Sequence, residues 1–138
     1  MGRYRHYTKK NVNMHEYVVH KYIYDLNIVN TSRIVRYNLQ QKKMTLEHIG
    51  NDNISNVYGD LPSEIPDYIF AKIREIILKL YDNGILYPDI TGYNFIEHKN
   101  NGKVYILDFE HVTYVDQGEN DFVTKFLNGY DGWNPEFC

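Results

Sequence analysis

The sequence has little cysteine and no long apolar run. Its one cysteine, Cys138, excludes an intrachain disulfide, so oxidation is not expected to hold the fold together. No stretch of about 18 apolar residues occurs, which excludes a transmembrane helix. The residues after Met1 are polar rather than the apolar core of a signal peptide. We therefore expect a cytoplasmic protein without membrane contact.

An excess of basic residues is also missing. The 15 Lys and Arg residues are outnumbered by 18 Asp and Glu residues, and the formal net charge is −3. A general nucleic-acid binder needs a basic face that replaces the counterions of the phosphates, so no nucleic-acid partner is expected. With 43% hydrophobic and 24% charged residues among 138 positions, the chain suits one globular domain over residues 1–138.

Apolar periodicity predicts two helices in the first two-thirds of the chain. In residues 14–27 four apolar side chains recur at every fourth position and predict one buried stripe: Met14, Val18, Tyr22 and Leu26. The stronger pattern lies in residues 66–83, with Pro66 in the first turn and Gly84 just after the end. Its expected buried face consists of Ile69, Ile73, Ile76, Ile77 and Leu80.

Short strands and turns are predicted for most of the remaining sequence. Strands are expected at residues 33–37, 43–46, 94–97 and 103–107, and the last two are joined by a turn at Asn100–Gly102. Residues 2–13 are basic and aromatic and predict a strand or an arm. Residues 50–63, rich in Asn, Asp and Gly, predict a loop. A short helix is expected at 120–127, followed by a tail in which Trp133 anchors the tail on the domain or on a partner.

An Asp, an Asn and a second Asp follow the long helix at positions that the predicted hairpin brings together. Asn94 opens the first strand of this hairpin and Asp108 closes the second, so the two side chains are expected close together. Amide and carboxylate oxygens are hard ligands that suit Mg²⁺, which takes phosphate oxygens as further ligands. Asp89, in the preceding loop, can orient or deprotonate an attacking hydroxyl. Positioning and charge neutralisation are most of what phosphoryl transfer requires.

These segments resemble the protein kinase-like superfamily. Residues 87–94, Tyr-Pro-Asp-Ile-Thr-Gly-Tyr-Asn, are similar to the catalytic-loop pattern His-Arg-Asp-Leu-x-x-x-Asn, and Asp108-Phe109-Glu110 resembles Asp-Phe-Gly. The Glu in the third place is more similar to choline kinases and aminoglycoside phosphotransferases. The resemblance implies ATP as the phosphoryl donor, Mg²⁺ held by Asn94 and Asp108, and Asp89 as the catalytic residue.

The resemblance extends to the segment that precedes the predicted loop. Residues 46–50, Leu-Glu-His-Ile-Gly, are similar to the end of the fifth kinase strand and the hinge. This implies that Leu46 is the gatekeeper and that the backbone of Glu47 and Ile49 meets the adenine edge of the nucleotide. The helix that begins at Met14 would be the regulatory helix, with Glu16 as its ion-pairing glutamate, although Glu16 lies away from the predicted stripe, as a solvated Glu would.

The resemblance implies an α+β protein with a truncated protein kinase-like fold. Residues 1–49 would form a reduced N-lobe and hinge, and residues 50–138 a minimal C-lobe. The sequence departs from the family pattern because no Gly-rich loop precedes the first helix, and because Tyr87 and Pro88 replace His and Arg. No lysine lies in a Val-Ala-Ile-Lys-like context, although four basic residues lie where such a strand would end: Arg3, Arg5, Lys9 and Lys10.

Three functions are consistent with this pattern. The leading one is a minimal phosphotransferase that moves the γ-phosphate of ATP to a hydroxyl of a protein or a small molecule. The alternative is a weak or inactive pseudokinase that acts as a protein-interaction module. A third is a half-domain that a protein partner completes. The pattern leaves open the oligomeric state and the lysine or arginine that binds phosphate.

Overall fold

A computed structural model describes residues 5–138. Residues 2–4 of the predicted arm lie outside this range. Seven strands and four α-helices are described, together with single 3-10 turns at Pro62–Glu64 and Val115–Gln117. In chain order the elements are β1 (His6–Lys9), α1 (Met14–Leu26), β2 (Ile34–Asn38), β3 (Lys43–Glu47), α2 (Ile54–Tyr58), α3 (Asp67–Asp82), β4 (Ile85–Leu86), β5 (Phe95–Glu97), β6 (Val104–Ile106), β7 (Thr113–Tyr114) and α4 (Asp121–Leu127).

The first half of the chain forms a three-stranded antiparallel sheet in the order β1-β3-β2. Tyr7 pairs with Leu46, and Lys9 pairs with Met44. Because directly paired residues lie on the same face of a sheet, and residues two apart along a strand do too, these four side chains share one face. Met44 and Leu46 are buried there and form a small core with Val12.

The helix α1 confirms the predicted range, but the predicted stripe is on its exposed side. Met14, Val18 and Tyr22 are between 44% and 50% exposed. The buried residues are Glu16, Val19, His20 and Ile23. Two apolar stripes run side by side on this helix, and periodicity alone does not decide which one meets the core. The expectation that Glu16 is solvated is therefore wrong, because Glu16 is only 2% exposed.

The helix α3 forms the centre of the larger core. All five residues of its predicted buried face are buried, and Pro66 precedes its first turn. Gly84 follows with φ 80°, a left-handed conformation that suits the residue after a helix. Around it lie buried residues from most of the later elements, among them Ile85, Phe95, Ile106, Phe109, Phe126 and Trp133.

Residues 50–63 are not the predicted loop, since they contain α2 and a 3-10 turn. The side chain of Asn53 accepts a hydrogen bond from the backbone N–H of Asn56 at 2.8 Å and caps α2. Asparagine is frequent both in loops and at helix N-caps. Here the residue after it, Ile54, is apolar and fully buried, and its burial against the core favours the helix.

Two small sheets complete the fold. The predicted hairpin is confirmed as β5 and β6, with Phe95 opposite Ile106. The pair β4 and β7 was not predicted, because two-residue strands carry no periodicity of their own. The tail returns onto the domain, where the ring of Trp133 lies 4.9 Å from that of Phe70; it therefore packs on its own chain.

The structure confirms a mixed α+β protein, whereas the truncated kinase-like form of that class and the division at residue 49 stay predictions. Within residues 5–138, none of the helices combines the length and the apolar character that crossing a bilayer requires.

The central position of α3 generates a stability prediction. Ile73 is fully buried in α3, whereas Leu78 of the same helix is 46% exposed. Truncating a buried Ile leaves a cavity, so Ile73→Ala should lower the free energy of unfolding by about 2–5 kcal/mol. The matched control Leu78→Ala should change it by no more than about 0.5 kcal/mol. Urea titration followed by circular dichroism measures both, and equal losses would contradict the assigned core.

Candidate functional site

The irregular segment between β4 and β5 is held from two sides. On one side Asn134 brackets Asp89: its backbone N–H donates to the carbonyl of Ile90 at 2.8 Å, and its side-chain amide donates to the carbonyl of Pro88 at 2.7 Å. On the other side the backbone N–H of Ser55 in α2 donates to the carbonyl of Gly92 at 3.1 Å. The backbone around Asp89 is therefore restrained by contacts far apart in the sequence.

Glycine at position 92 is explained by this close approach. A Cβ atom at Gly92 would lie 2.1 Å from the hydroxyl oxygen of Ser55 and 3.2 Å from the ring of Trp133. The first distance is too short for any real contact and the second is tight, so a larger residue would require the Ser55 side chain to move and the Trp133 ring to shift slightly.

The hairpin brings Asn94 and Asp108 to one place, as the sequence predicts. The backbone N–H of Leu107 donates to the carbonyl of Asn94 at 2.8 Å, and both Asn94 and Asp108 line the same cavity. The side-chain N–H of Asn94 donates to the backbone carbonyl of Asp89 at 2.8 Å. This bond fixes the amide so that its oxygen remains available as a ligand.

Asp108 adopts an unusual backbone conformation. Its φ is 62°, in the left-handed region that few residues other than Gly, Asn and Asp adopt. The backbone N–H of Glu110 lies 3.4 Å from the Oδ1 atom of Asp108, and this local contact helps the residue to hold the conformation. Strained residues cluster at functional sites.

A lysine that sequence reasoning left unassigned joins the site. The ammonium of Lys9, the last residue of β1, lies 2.5 Å from the Oε2 atom of Glu16 and 3.1 Å from the Oδ1 atom of Asp108. Three elements, β1, α1 and the end of the hairpin, therefore meet at one cation. A usable signal existed in the sequence: with Val19 and Ile23 as the buried stripe, Glu16 also lies on the buried side and requires a nearby cation.

Burial and charge act on the pKa values of this cluster. Burial of Lys9 disfavours its charge, but the hydrogen bond to Glu16 and the charge of Asp108 outweigh it, so the pKa of Lys9 is raised. Burial also raises the pKa of Glu16, and Lys9 opposes that rise. At neutral pH the lysine is therefore positively charged, and it lines the same cavity as Asn94 and Asp108.

The pKa of the Asp89 carboxyl is raised as well. Burial is the main cause, and the negative charge of Asp108 adds to it, while His111 and the amide of Asn94 oppose it. A carboxylate whose pKa is moved towards neutrality is a better general base than an ordinary one. His111 itself stacks on the ring of Phe137 in the tail, with ring centres 4.9 Å apart.

Two adjoining cavities lie between the sheet and the hairpin. The first, which we call the charged cavity, has a volume of about 220 Å³, and Leu46 lines it together with Lys9, Glu16, Asn94 and Asp108. The second, which we call the apolar cavity, has a volume of about 330 Å³ and is lined by Tyr7, His48, Ile49, Gly50, Asn51, Ile96 and Leu107. The two cavities together are called the cleft.

The residues predicted to contact adenine fall differently around these cavities. Leu46 lines the first and Ile49 the second. Glu47 lines neither; its backbone N–H donates to the carbonyl of Arg33 at 2.9 Å, and its carboxylate faces the Arg33 guanidinium at 3.8 Å. The predicted backbone contact of Glu47 with a base would therefore have to use its carbonyl.

The charged cavity also has the chemistry of a cation site. Among the described residues, carboxylate oxygens of Glu16, Asp108 and Glu110 lie within 4.8 Å of one another, and Asn94 lines the same cavity as Asp108. Oxygen donors of this kind fit Mg²⁺. Lys9 occupies one oxygen of Asp108, so the other oxygen is the one open to a metal ion.

Comparison with known proteins gives a partial match. No protein-family model matches the chain. Over 118 residues, 78% of the chain, the sequence is 28% identical to MAP3K epsilon protein kinase 2 of Arabidopsis thaliana and 27% identical to MAP3K epsilon protein kinase 1 of Brassica napus. The chain spans 8% and 9% of the length of these two relatives. The matches indicate a distant relationship between part of this chain and protein kinases.

The Lys9 cluster generates a prediction for stability. Lys9→Met leaves the buried carboxylate of Glu16 without its cation, so it should lower the free energy of unfolding by about 1–3 kcal/mol. Adding Glu16→Gln should restore part of this loss. The control Lys21→Met removes the exposed ion pair with Asp25 and should cost no more than about 1 kcal/mol. Urea titration at neutral pH distinguishes these cases, and additive effects of the two site changes would contradict the coupling.

Two groups near the site predict loss of stability at alkaline pH. The pKa of Lys9 is raised as described, and burial raises the pKa of Tyr87, whose hydroxyl donates to the carbonyl of Leu107. A group whose pKa is higher in the folded than in the unfolded state contributes stability that is complete below the unfolded value, about 10 for both groups, and is lost as the pH rises above it.

Stability should therefore fall as the pH rises above about 10, and the stability of Tyr87→Phe should fall less steeply than that of the unaltered protein. Tyr24→Phe, which removes a hydroxyl from an exposed side chain, is the control and should keep the original slope. Thermal unfolding over this pH range provides the measurement. A slope that Tyr87→Phe leaves unchanged would count against the buried phenol.

Proposed function

We propose that this protein is a kinase-like phosphotransferase that binds ATP with Mg²⁺ and transfers the γ-phosphate to a hydroxyl group. One observation carries the proposal: Lys9 from a strand lies between Glu16 from a helix and Asp108 after the hairpin. Protein kinases require the same combination, a strand lysine paired with a helix glutamate and an aspartate that holds the metal ion. The distant similarity to protein kinases supports the same conclusion.

The charged residues of the cleft have distinct tasks in this proposal. Lys9 would bind the phosphates of the nucleotide while Glu16 holds its ammonium in place. Asn94 and Asp108 would hold Mg²⁺, which when bound neutralises phosphate charge. The hydrogen bond from the Asn94 amide to the Asp89 carbonyl links the metal-binding residue to the segment that carries Asp89.

Asp89 would act on the acceptor. Its carboxylate takes the proton of the acceptor hydroxyl as the acceptor oxygen forms a bond to the γ-phosphorus, and the bond from that phosphorus to the bridging oxygen of ADP breaks. Asn134 donates hydrogen bonds to the carbonyls of both residues that flank Asp89, and so holds the backbone around Asp89 in one conformation. The base of the nucleotide would occupy the apolar cavity that contains Ile49 and Leu107.

A second candidate function, a pseudokinase that serves as an interaction module, is favoured by a different observation. Tyr87 stands where the catalytic-loop pattern has His, and its ring is fully buried, with the hydroxyl bonded to the Leu107 carbonyl. Glu110 replaces the Gly of the Asp-Phe-Gly pattern. These departures fit a protein that uses the kinase-like fold as a binding surface rather than for catalysis. A partner that completes the domain is the third possibility.

The test separates nucleotide binding from transfer. Titration calorimetry with ATP in the presence and absence of Mg²⁺ should show metal-dependent binding, and Asp108→Asn should abolish the dependence on Mg²⁺ because it removes a charged ligand. Radiolabelled ATP should label the protein or a generic substrate, and Asp89→Asn should lower that rate by about 10²–10⁴ fold without weakening binding. The control Asp116→Asn changes an exposed carboxylate outside both cavities.

Each result assigns the function to one of the three possibilities. Binding without transfer, with partner capture that survives Asp108→Asn, would favour the interaction module. Transfer that needs added cell extract would favour a completing partner. Absence of Mg-ATP binding in the unaltered protein would refute the phosphotransferase.

A further inference from the structure

The cleft is divided at one point. The charged cavity and the apolar cavity have two lining residues in common, Tyr7 from the sheet and Leu107 from the end of the hairpin. Their volumes are about 220 and 330 Å³, below or at the lower end of the roughly 300–1,000 Å³ that ligand pockets occupy. A ligand with a base at one end and phosphates at the other therefore needs both cavities, and it must pass between Tyr7 and Leu107.

The position of Tyr7 follows from the register of the sheet. It pairs with Leu46 and lies two residues before Lys9, so its ring points into the cleft beside the ammonium. The pKa of Tyr7 is raised by burial, and the charges of Lys9, Asp108 and Glu16 all act on it. The ring therefore stands at the boundary between the charged half of the cleft and its apolar half.

The ring of Tyr7 is weakly held. Its one aromatic neighbour among residues 5–138 is His48, edge-on at 6.2 Å between ring centres, and within the same residues no hydrogen bond restrains its hydroxyl. The residue is 37% exposed, so another staggered side-chain rotamer can move the ring out towards solvent. Leu107, by contrast, is held through its backbone by Asn94 and by Tyr87.

We infer that Tyr7 is a specificity-determining residue that separates the base end of the cleft from the phosphate end and disfavours any ligand that occupies both. This inference rests on the proposed function, because it concerns how a nucleotide would fit the same cleft. A ligand that spans the cleft binds only the fraction of molecules in which the ring is turned out. If that fraction is about one in ten, the apparent affinity is reduced about tenfold.

The experiment removes the ring and compares a spanning ligand with a short one. Mg-ATP should bind about tenfold more tightly to Tyr7→Ala than to the unaltered protein in titration calorimetry. Magnesium pyrophosphate, which needs only the charged cavity, should bind both proteins equally. Tyr7→Val, which keeps the preference for a strand, should behave like Tyr7→Ala and replaces it if the alanine variant does not fold.

Two matched controls isolate the ring. Tyr7→Phe keeps the ring without its hydroxyl and should bind Mg-ATP as the unaltered protein does. Tyr24→Ala removes a similarly exposed tyrosine from α1 and should also change nothing. Weaker Mg-ATP binding by Tyr7→Ala would show that the ring stacks on the base, and would overturn the inference.

The outcomes also distinguish this inference from the proposed function. If the unaltered protein binds Mg-ATP and Tyr7→Ala binds it equally, the inference fails and the proposed function stands. If Tyr7→Ala binds Mg-ATP and the unaltered protein does not, the inference about the ring is supported and phosphotransfer by the unaltered protein is refuted. If none of the proteins binds Mg-ATP, both fail together.

Discussion

The ammonium of Lys9 is the contact on which the arrangement of this site depends. It lies between carboxylates of Glu16 and Asp108, which come from a helix and from the end of a hairpin about 90 residues further along the chain. Glu16 is almost fully buried, and a buried carboxylate is costly unless a cation is close. The lysine therefore both neutralises the helix and joins the sheet to the part of the molecule that carries the hairpin. Without it, the charged cavity would lose the ammonium that lies between the carboxylates of Glu16 and Asp108.

The proposed likeness to protein kinases rests on this arrangement more than on sequence identity. Identity to the kinase relatives is 27% to 28% over part of the chain, and individual motifs depart from the family pattern at Tyr87, Pro88 and Glu110. What the chain has is an order of elements that places a strand lysine, a helix glutamate, an asparagine and an aspartate around one cavity. Asp89 is joined to them through the hydrogen bond of its backbone carbonyl with Asn94. Phosphoryl transfer depends mainly on such positioned charges, which is why we propose a phosphotransferase in spite of the altered motifs.

Sequence patterns predicted the elements well where one pattern dominated. The five-residue apolar face of α3 was correct in full, because no second stripe competes with it. In α1 two stripes compete, and the buried one, with Val19 and Ile23, is the one the prediction did not choose. Residues 50–63 were wrongly assigned to a loop, since Asn53 caps a helix there. The strands β4 and β7 are too short to have a pattern and pair only because α3 and the later chain bring them together.

The sequence by itself determined that Asn94 and Asp108 meet, because a hairpin with a turn at Asn100–Gly102 returns the chain over a few residues and local connectivity decides the outcome. It also determined that Asp89 lies just before them. Only the tertiary structure decided that Lys9 pairs with Asp108, that Tyr7 lines the cleft, and that Asn134 from the far end of the chain restrains the residues beside Asp89. The contacts of Lys9 with Asp108 and of Asn134 with Pro88 join residues 99 and 46 positions apart, and no spacing within the chain encodes them; they follow from which face of each element the core buries.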